Sequence, residues 1–151
     1  MFRISHKERW IELPHGVRLL VTPITTVMVA AAQSAARRRA LELLGKDDVP
    51  EQENLRRGVA LMLTIQALGR ECIRAWQNVV DEDGKAVPLT PEAIEVLLSH
   101  EEMAFAFFEA VMTPLRLVEA EGNASGPAPN GTSAAGQTTA EDAPLSNASA
   151  A

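Results

Sequence analysis

The composition breaks after Glu121. From Gly122 the chain reads Asn-Ala-Ser-Gly-Pro-Ala-Pro-Asn-Gly-Thr-Ser-Ala-Ala-Gly and carries no large apolar side chain until Leu145. Such a segment cannot bury enough apolar area to offset the entropy of ordering it. Only residues 1–121 can therefore build a core, and residues 122–151 are expected to form a disordered polar tail. A body of that length can close one domain without a disulfide or metal staple. The single cysteine, Cys72, lies in an apolar helical pattern and is expected to be a buried, unreactive thiol.

Within the body the periodicity is mostly helical. Residues 10–22 are the exception: two β-prone runs flank the turn-forming Pro14-His15-Gly16, which predicts an N-terminal β-hairpin. An isolated hairpin is marginal in water, so this one must lie on helices or pair with another chain; self-association through its edges is the second option. Thr25 or Thr26 offers an N-cap and Gly45 a stop, predicting a helix of about five turns over residues 27–44. Pro50 and Glu51 suit the start of a second helix. Its stripe of Leu55, Val59, Met62, Ile65, Cys72, Ile73 and Trp76 keeps the helical period. Leu61, Leu63 and Leu68 widen the stripe, as in a central helix wrapped by neighbours, and Gly58 and Gly69 permit close packing.

The residues Asp81-Glu82-Asp83-Gly84-Lys85 form a turn signal, and Thr90-Pro91-Glu92 opens a short helix over residues 91–98. Ser99 and Glu102 have capping-box spacing for a last helix, with a core face of Ala104, Phe108, Val111, Leu115 and Val118, flanked by Phe105, Phe107 and Met112. Pro114 should kink or restart it. The fold class is thus mainly α: an N-terminal β-hairpin packed on a small bundle of about four helices, followed by the tail.

Searches for catalytic or metal-binding patterns return nothing. His6, His15 and His100 fall in different elements with no second ligand at helical spacing, and no phosphate loop or nucleophile elbow occurs. Residues 81–84 imitate a calcium loop only in part, because Thr90 stands where a bidentate Glu is required. The expectation is a non-enzymatic protein without cofactor or metal. A formal charge of −6 disfavours nucleic acid. Arg37-Arg38-Arg39 points three ways around a helix and is opposed by Glu42, which leaves a small DNA-binding regulator as an alternative only. The charged start lacks the pattern of a signal peptide, and the apolar windows around residues 27–32 and 59–65 are too short to span a bilayer. No membrane contact and a place in the cytoplasm are therefore expected, and the resemblance described below makes that the cytoplasm of a bacterial host.

A surplus of large apolar side chains is more informative. Trp10, Leu13, Leu20, Met28, Trp76, Phe105, Phe107 and Met112 are candidate partner-binding residues, since aromatics and Met are favoured on adaptable surfaces. Ile11 and Ile24 belong to the same surplus. The competing reading is that all of them close one core.

Residues 76–98, Trp-Gln-Asn-Val-Val-Asp-Glu-Asp-Gly-Lys-Ala-Val-Pro-Leu-Thr-Pro-Glu-Ala-Ile-Glu-Val-Leu-Leu, resemble the central signature of the small tail assembly chaperones of long-tailed bacteriophages and prophages. A helix ending in Trp, a pair before an acidic Asp-Gly turn, and a Pro-Thr-Pro-Glu-like helix start ending in Leu-Leu carry the likeness. Phe107-Phe108-Glu109-Ala110, Pro114-Leu115 and Glu121-Gly122-Asn123 extend it, and Asn78 stands where the family has Gly. The resemblance implies a protein that binds the tape measure protein and helps deliver tail tube protein around it, with the tail in the place of a segment that recruits tube subunits. A structural minor tail component is the alternative within the same setting.

Overall fold

The computed structural model describes Met1 and residues 5–46 and 49–124, with side-chain surroundings through residue 117. Its elements run β1 (Arg9–Glu12), β2 (Arg18–Val21), α1 (Thr26–Leu44), α2 (Pro50–Cys72), β3 (Ile73–Gln77), α3 (Pro91–Leu97) and α4 (Glu101–Ala124). The chain divides into a unit of Met1–Val118, which holds everything that follows, and a unit of Glu119–Ala151. Helix α4 is assigned through Ala124, three residues past the boundary expected from composition. The rest of the expected tail, residues 125–151, lies outside the described residues.

Local chemistry sets several boundaries. The Thr25 side chain accepts the Met28 N–H at 3.2 Å and caps α1. Gly45 ends that helix at φ 76°, donating its N–H to Leu41 O. Thr90 accepts from Ala93 N at 3.0 Å, and Pro91 starts α3. The β1–β2 turn places His15 at φ 61° and Gly16 at φ 74°, and Leu13 N donates to Val17 O to close it. In the turn at residues 81–85, Asp81 Oδ1 accepts from Asp83 N and Lys85 N, so the acidic cluster caps its own backbone.

The hairpin gains a third strand that periodicity concealed. β1 pairs antiparallel with β2, and β2 with β3, in the order β1-β2-β3. Ile73 and Trp76, expected to continue the stripe of α2, belong to β3. The helix stops because β2 has an edge to fill: Thr22 N donates to the terminal Cys72 carbonyl at 2.9 Å, and the chain leaves directly into the ladder. The register shifts between Leu20 and Val21, leaving Arg74 as the extra residue of a bulge while Ile73 faces Val21.

One face of this sheet is core. Ile11, Leu19, Val21 and Ile73 pack with Ile65, Leu68 and Cys72 of α2, with Ile94, Leu97 and Leu98 in and just after α3, and with Met103, Ala104, Phe107 and Val111 of α4. The α4 face is therefore rotated from expectation. Phe107, placed on the flank by the sequence reading, is fully buried, and Phe108 is half-buried. Residues 104, 107 and 111 keep i, i+3, i+7 spacing, so the stripe is a good helical one. The capping box also fails to form. Ser99 Oγ donates to Val96 O, and the Glu102 carboxylate lies 3.1 Å from His15 Nε2.

Helix α4 runs through Pro114, whose ring removes a donor and crowds the carbonyl of residue 110. Arg9 answers this: its Nη2 donates to Ala110 O. At α2 only the second half is wrapped, with Thr64, Ile65, Leu68, Gly69 and Cys72 buried. Leu55 and Leu61 in the first half are exposed, contrary to a helix covered on most sides. Helix α1 packs along α2 and buries Val29, Ala36 and Ala40, of which Val29 belongs to the main core.

Candidate protein-binding surface

The outer face of the sheet is built by strand alternation. Directly paired residues share a face, so Ile11, Leu19 and Trp76 point to the core side while Trp10, Leu20 and Ala75 form a row on the other. The next row is Glu12, Arg18 and Gln77. Trp10 is 39 % exposed, and Leu20 and Ala75 are half-buried. The Arg18 guanidinium carbon lies 5.1 Å from the Trp10 ring centroid, and its Nη1 donates to Gln77 Oε1 at 3.1 Å. Glu12 Oε1 is 3.8 Å from Arg18 Nε, close enough for charge attraction but not for a hydrogen bond, and that shielded Nε has no hydrogen-bond partner. The guanidinium over the indole makes a cation–π contact that contributes about 0.5–1 kcal/mol at an exposed site. Together these rows make an apolar strip edged by a polar one, an arrangement suited to an extended or helical protein segment.

The eight candidate residues separate clearly. Trp10 and Leu20 are neighbours on the outer sheet face. Phe105 stands on α4 at 42 % exposure. Met28, Trp76 and Met112 are half-buried against the core cluster, and the Trp76 indole N–H donates to Val87 O at 2.8 Å, tying the segment before α3 to β3. Leu13 and Phe107 are core, as are Ile11 and Ile24, so none of these four offers surface to a partner. Leu13 lies two residues beyond Ile11 and so falls on the same, core-facing side. Leu41 on α1 is also exposed, as is Leu61 on α2, which the sequence pattern counts with the buried stripe. The available signal was their position off the Val29-Ala36-Ala40 seam and off the buried stripe of α2.

Other groups are accounted for locally. Of the arginine triplet, Arg39 pairs with Glu42 at 3.1 Å, and all three residues are exposed. Among the described residues no group of three or more His, Cys, Asp or Glu is placed to hold a metal ion, and no described helix is long and apolar enough to cross a membrane. Cys72 is fully buried, and burial pushes its thiol from 9.0 up to about 12, with Arg74 acting weakly in the opposite direction. Iodoacetamide at pH 8 should leave the native protein unlabelled and label it stoichiometrically in 6 M guanidinium; rapid labelling of the native chain would contradict this burial. The folded thiol keeps its proton where an unfolded one loses it above pH 9.0. This group therefore favours folding fully below pH 9.0, and its contribution is lost as pH rises towards about 12.

Residues 24–123, which make up 100 of the 151 residues, match the family described as YdaY prophage protein. Comparison with curated proteins and with solved structures gave no match.

Proposed function

Since the chain belongs to the YdaY prophage protein family, we propose that it is a non-enzymatic tail assembly chaperone that binds the tape measure protein and assists tail tube assembly. The observation that carries the reading is a coincidence of extent. The prophage family match covers residues 24–123, and the segments resembling tail assembly chaperones, residues 76–98 and 107–123, fall inside it. The accessible Trp10, Leu20 and Phe105 supply apolar contacts of the kind needed to mask an amphipathic client. A long helical client exposes repeated apolar stripes before it is enclosed, and covering them transiently opposes aggregation. On this reading the segment after residue 121 tethers tube subunits close to the bound client, raising their effective concentration.

Co-expression with the tape measure protein of the same prophage tests the proposal. The soluble client fraction should rise several-fold with this chain present and fall back when Trp10 and Leu20 are both replaced by Ser. Equal client solubility with and without the chain would rule the chaperone reading out.

A further inference from the structure

Helix α4 passes through a residue that cannot complete it. Pro114 offers no N–H to the Ala110 carbonyl one turn back, and its ring crowds that carbonyl. A proline inside a helix is a place where helices bend, because the bond that resists bending is missing. Here a side chain from the other end of the sequence supplies the donor: Arg9 Nη2, 101 residues away, bonds Ala110 O.

Three further contacts gather at the same point. The Thr113 hydroxyl donates to Glu109 O at 2.7 Å, a back-bond of the kind that favours a bend. Both carboxylate oxygens of Glu109, before the proline, accept from Arg116 Nη1, after it, at 3.0 and 2.9 Å. Leu115, the first residue beyond the ring, is half-buried against the core cluster. The ion pair is exposed at both ends and contributes little. Among the described residues, Arg9 makes the polar contact that ties this turn to another element.

We propose that Pro114 is a hinge in α4 and that Arg9 is the latch that holds it closed. With the latch made, the helical bonds from the N–H groups of Leu115, Arg116 and Leu117 back across the proline are protected. With it broken, the turn after Pro114 bends and lifts Leu115 from the core. Strand alternation decides what works the latch. Arg9 and Ile11 share the side of β1 that faces the helices, and Trp10 between them faces outward. Contact on Trp10 therefore leaves the latch in place, whereas a shift of β1 itself releases α4. The inference concerns this chain alone and does not use the chaperone reading.

Amide hydrogen exchange, followed by NMR on the full-length chain, tests the latch. Arg9→Met keeps the apolar stem and removes the donor. It should speed exchange at Leu115, Arg116 and Leu117 by about three- to ten-fold, the factor that a net hydrogen bond contributes. Ile65 and Leu68 of α2 should change by less than about two-fold. Pro114→Ala restores an N–H for the Ala110 carbonyl, so in that background Arg9→Met should alter the same three amides by less than about two-fold. Unchanged exchange at these amides in Arg9→Met would overturn the inference. So would the same acceleration with and without Pro114, because Arg9 would then act through β1 only. If Arg9→Met loosens every amide alike, Pro114→Ala by itself decides. It should slow residues 115–117 by more than it slows α2, and an equal change in both would also sink the hinge. Client solubility in the co-expression experiment reads Trp10 and Leu20 and not this bond, so the two results fail separately.

Discussion

Phe107→Ala is expected to destabilise the protein by about 3–5 kcal/mol, out of a net stability on the order of 5–15 kcal/mol for a domain of this kind. Phe107 has no exposed surface and belongs to the cluster that joins the inner face of the sheet to α2, α3 and α4. Truncation removes the ring's transfer free energy and leaves a cavity, since the ladder on one side and the helix α2 on the other cannot collapse into it. The melting temperature should fall by on the order of 15 °C. Phe105→Ala on the same helix serves as the control. At 42 % exposure its ring is partly in water already, and the cost should stay within about 1 kcal/mol. Urea unfolding followed by circular dichroism measures both. A larger loss for Phe105→Ala would mean that α4 buries a different face.

The second large effect is a reversal of sign between two glycines of α2. Replacing Gly by Ala inside a helix ordinarily stabilises it by about 0.5–1 kcal/mol, through lower backbone entropy in the unfolded chain and better propensity. Gly58 meets that condition, because an added methyl would find nothing within 4 Å. Gly58→Ala should therefore raise the urea midpoint. At Gly69 the same methyl would sit 2.3 Å from Leu98 Cδ1 and 3.1 Å from Ile94 Cγ2. Leu98 is itself fully buried, so its side chain has no free rotamer to retreat into. Overpacking of about 1–3 kcal/mol then exceeds the propensity gain, and Gly69→Ala should lower stability by about 1–2 kcal/mol. Stabilisation at both positions would show that α3 does not press against α2 at this point.

These two helices also mark where sequence reading succeeds. The sequence offers both glycines as sites of close packing, but only Gly69 is one, because α3 approaches there and nothing comes within 4 Å of a methyl at Gly58. The same holds for the aromatic pair, since Phe105 and Phe107 have equal propensity and each fits a helical stripe. For the candidate surface, Trp10 and Leu20 were legible as surplus apolar residues of a hairpin. Their exposure depended on which side of the sheet the helices covered. Leu13 alternates with Ile11 and not with Trp10, so it went to the core once the helices covered that side. Leu61 reads as part of a wrapped stripe and Leu41 carries no signal, because an Ala-rich helix and a broad apolar helix both look like core elements when their neighbours are unknown.

Asn78 shows how local and tertiary causes meet. It occupies the place where the resembling family has Gly, and its φ of 64° is the left-handed conformation that Gly adopts freely and Asn tolerates. Its Nδ2 donates to Gly16 O at 2.8 Å, a bond that a Gly there could not make, which ties the end of β3 to the β1–β2 turn.

By itself the sequence determined the pieces whose energetics are complete within a few residues. Thr25, Thr90 and Asp81 satisfy backbone N–H groups from nearby side chains, Pro50 and Pro91 remove a donor that a helix start leaves unpaired, and Gly45 and Gly16 supply the positive φ that a stop and a turn require. Tertiary structure decided the switch from α2 to β3, the face that α4 buries and the half of α2 that remains uncovered. Each of these depends on a partner distant in the chain: the open edge of β2, the inner face of the sheet, and α3 with Leu98 just after it, which packs against α2 at Gly69. Periodicity reports that a residue can be buried, and only the neighbour that arrives decides whether it is.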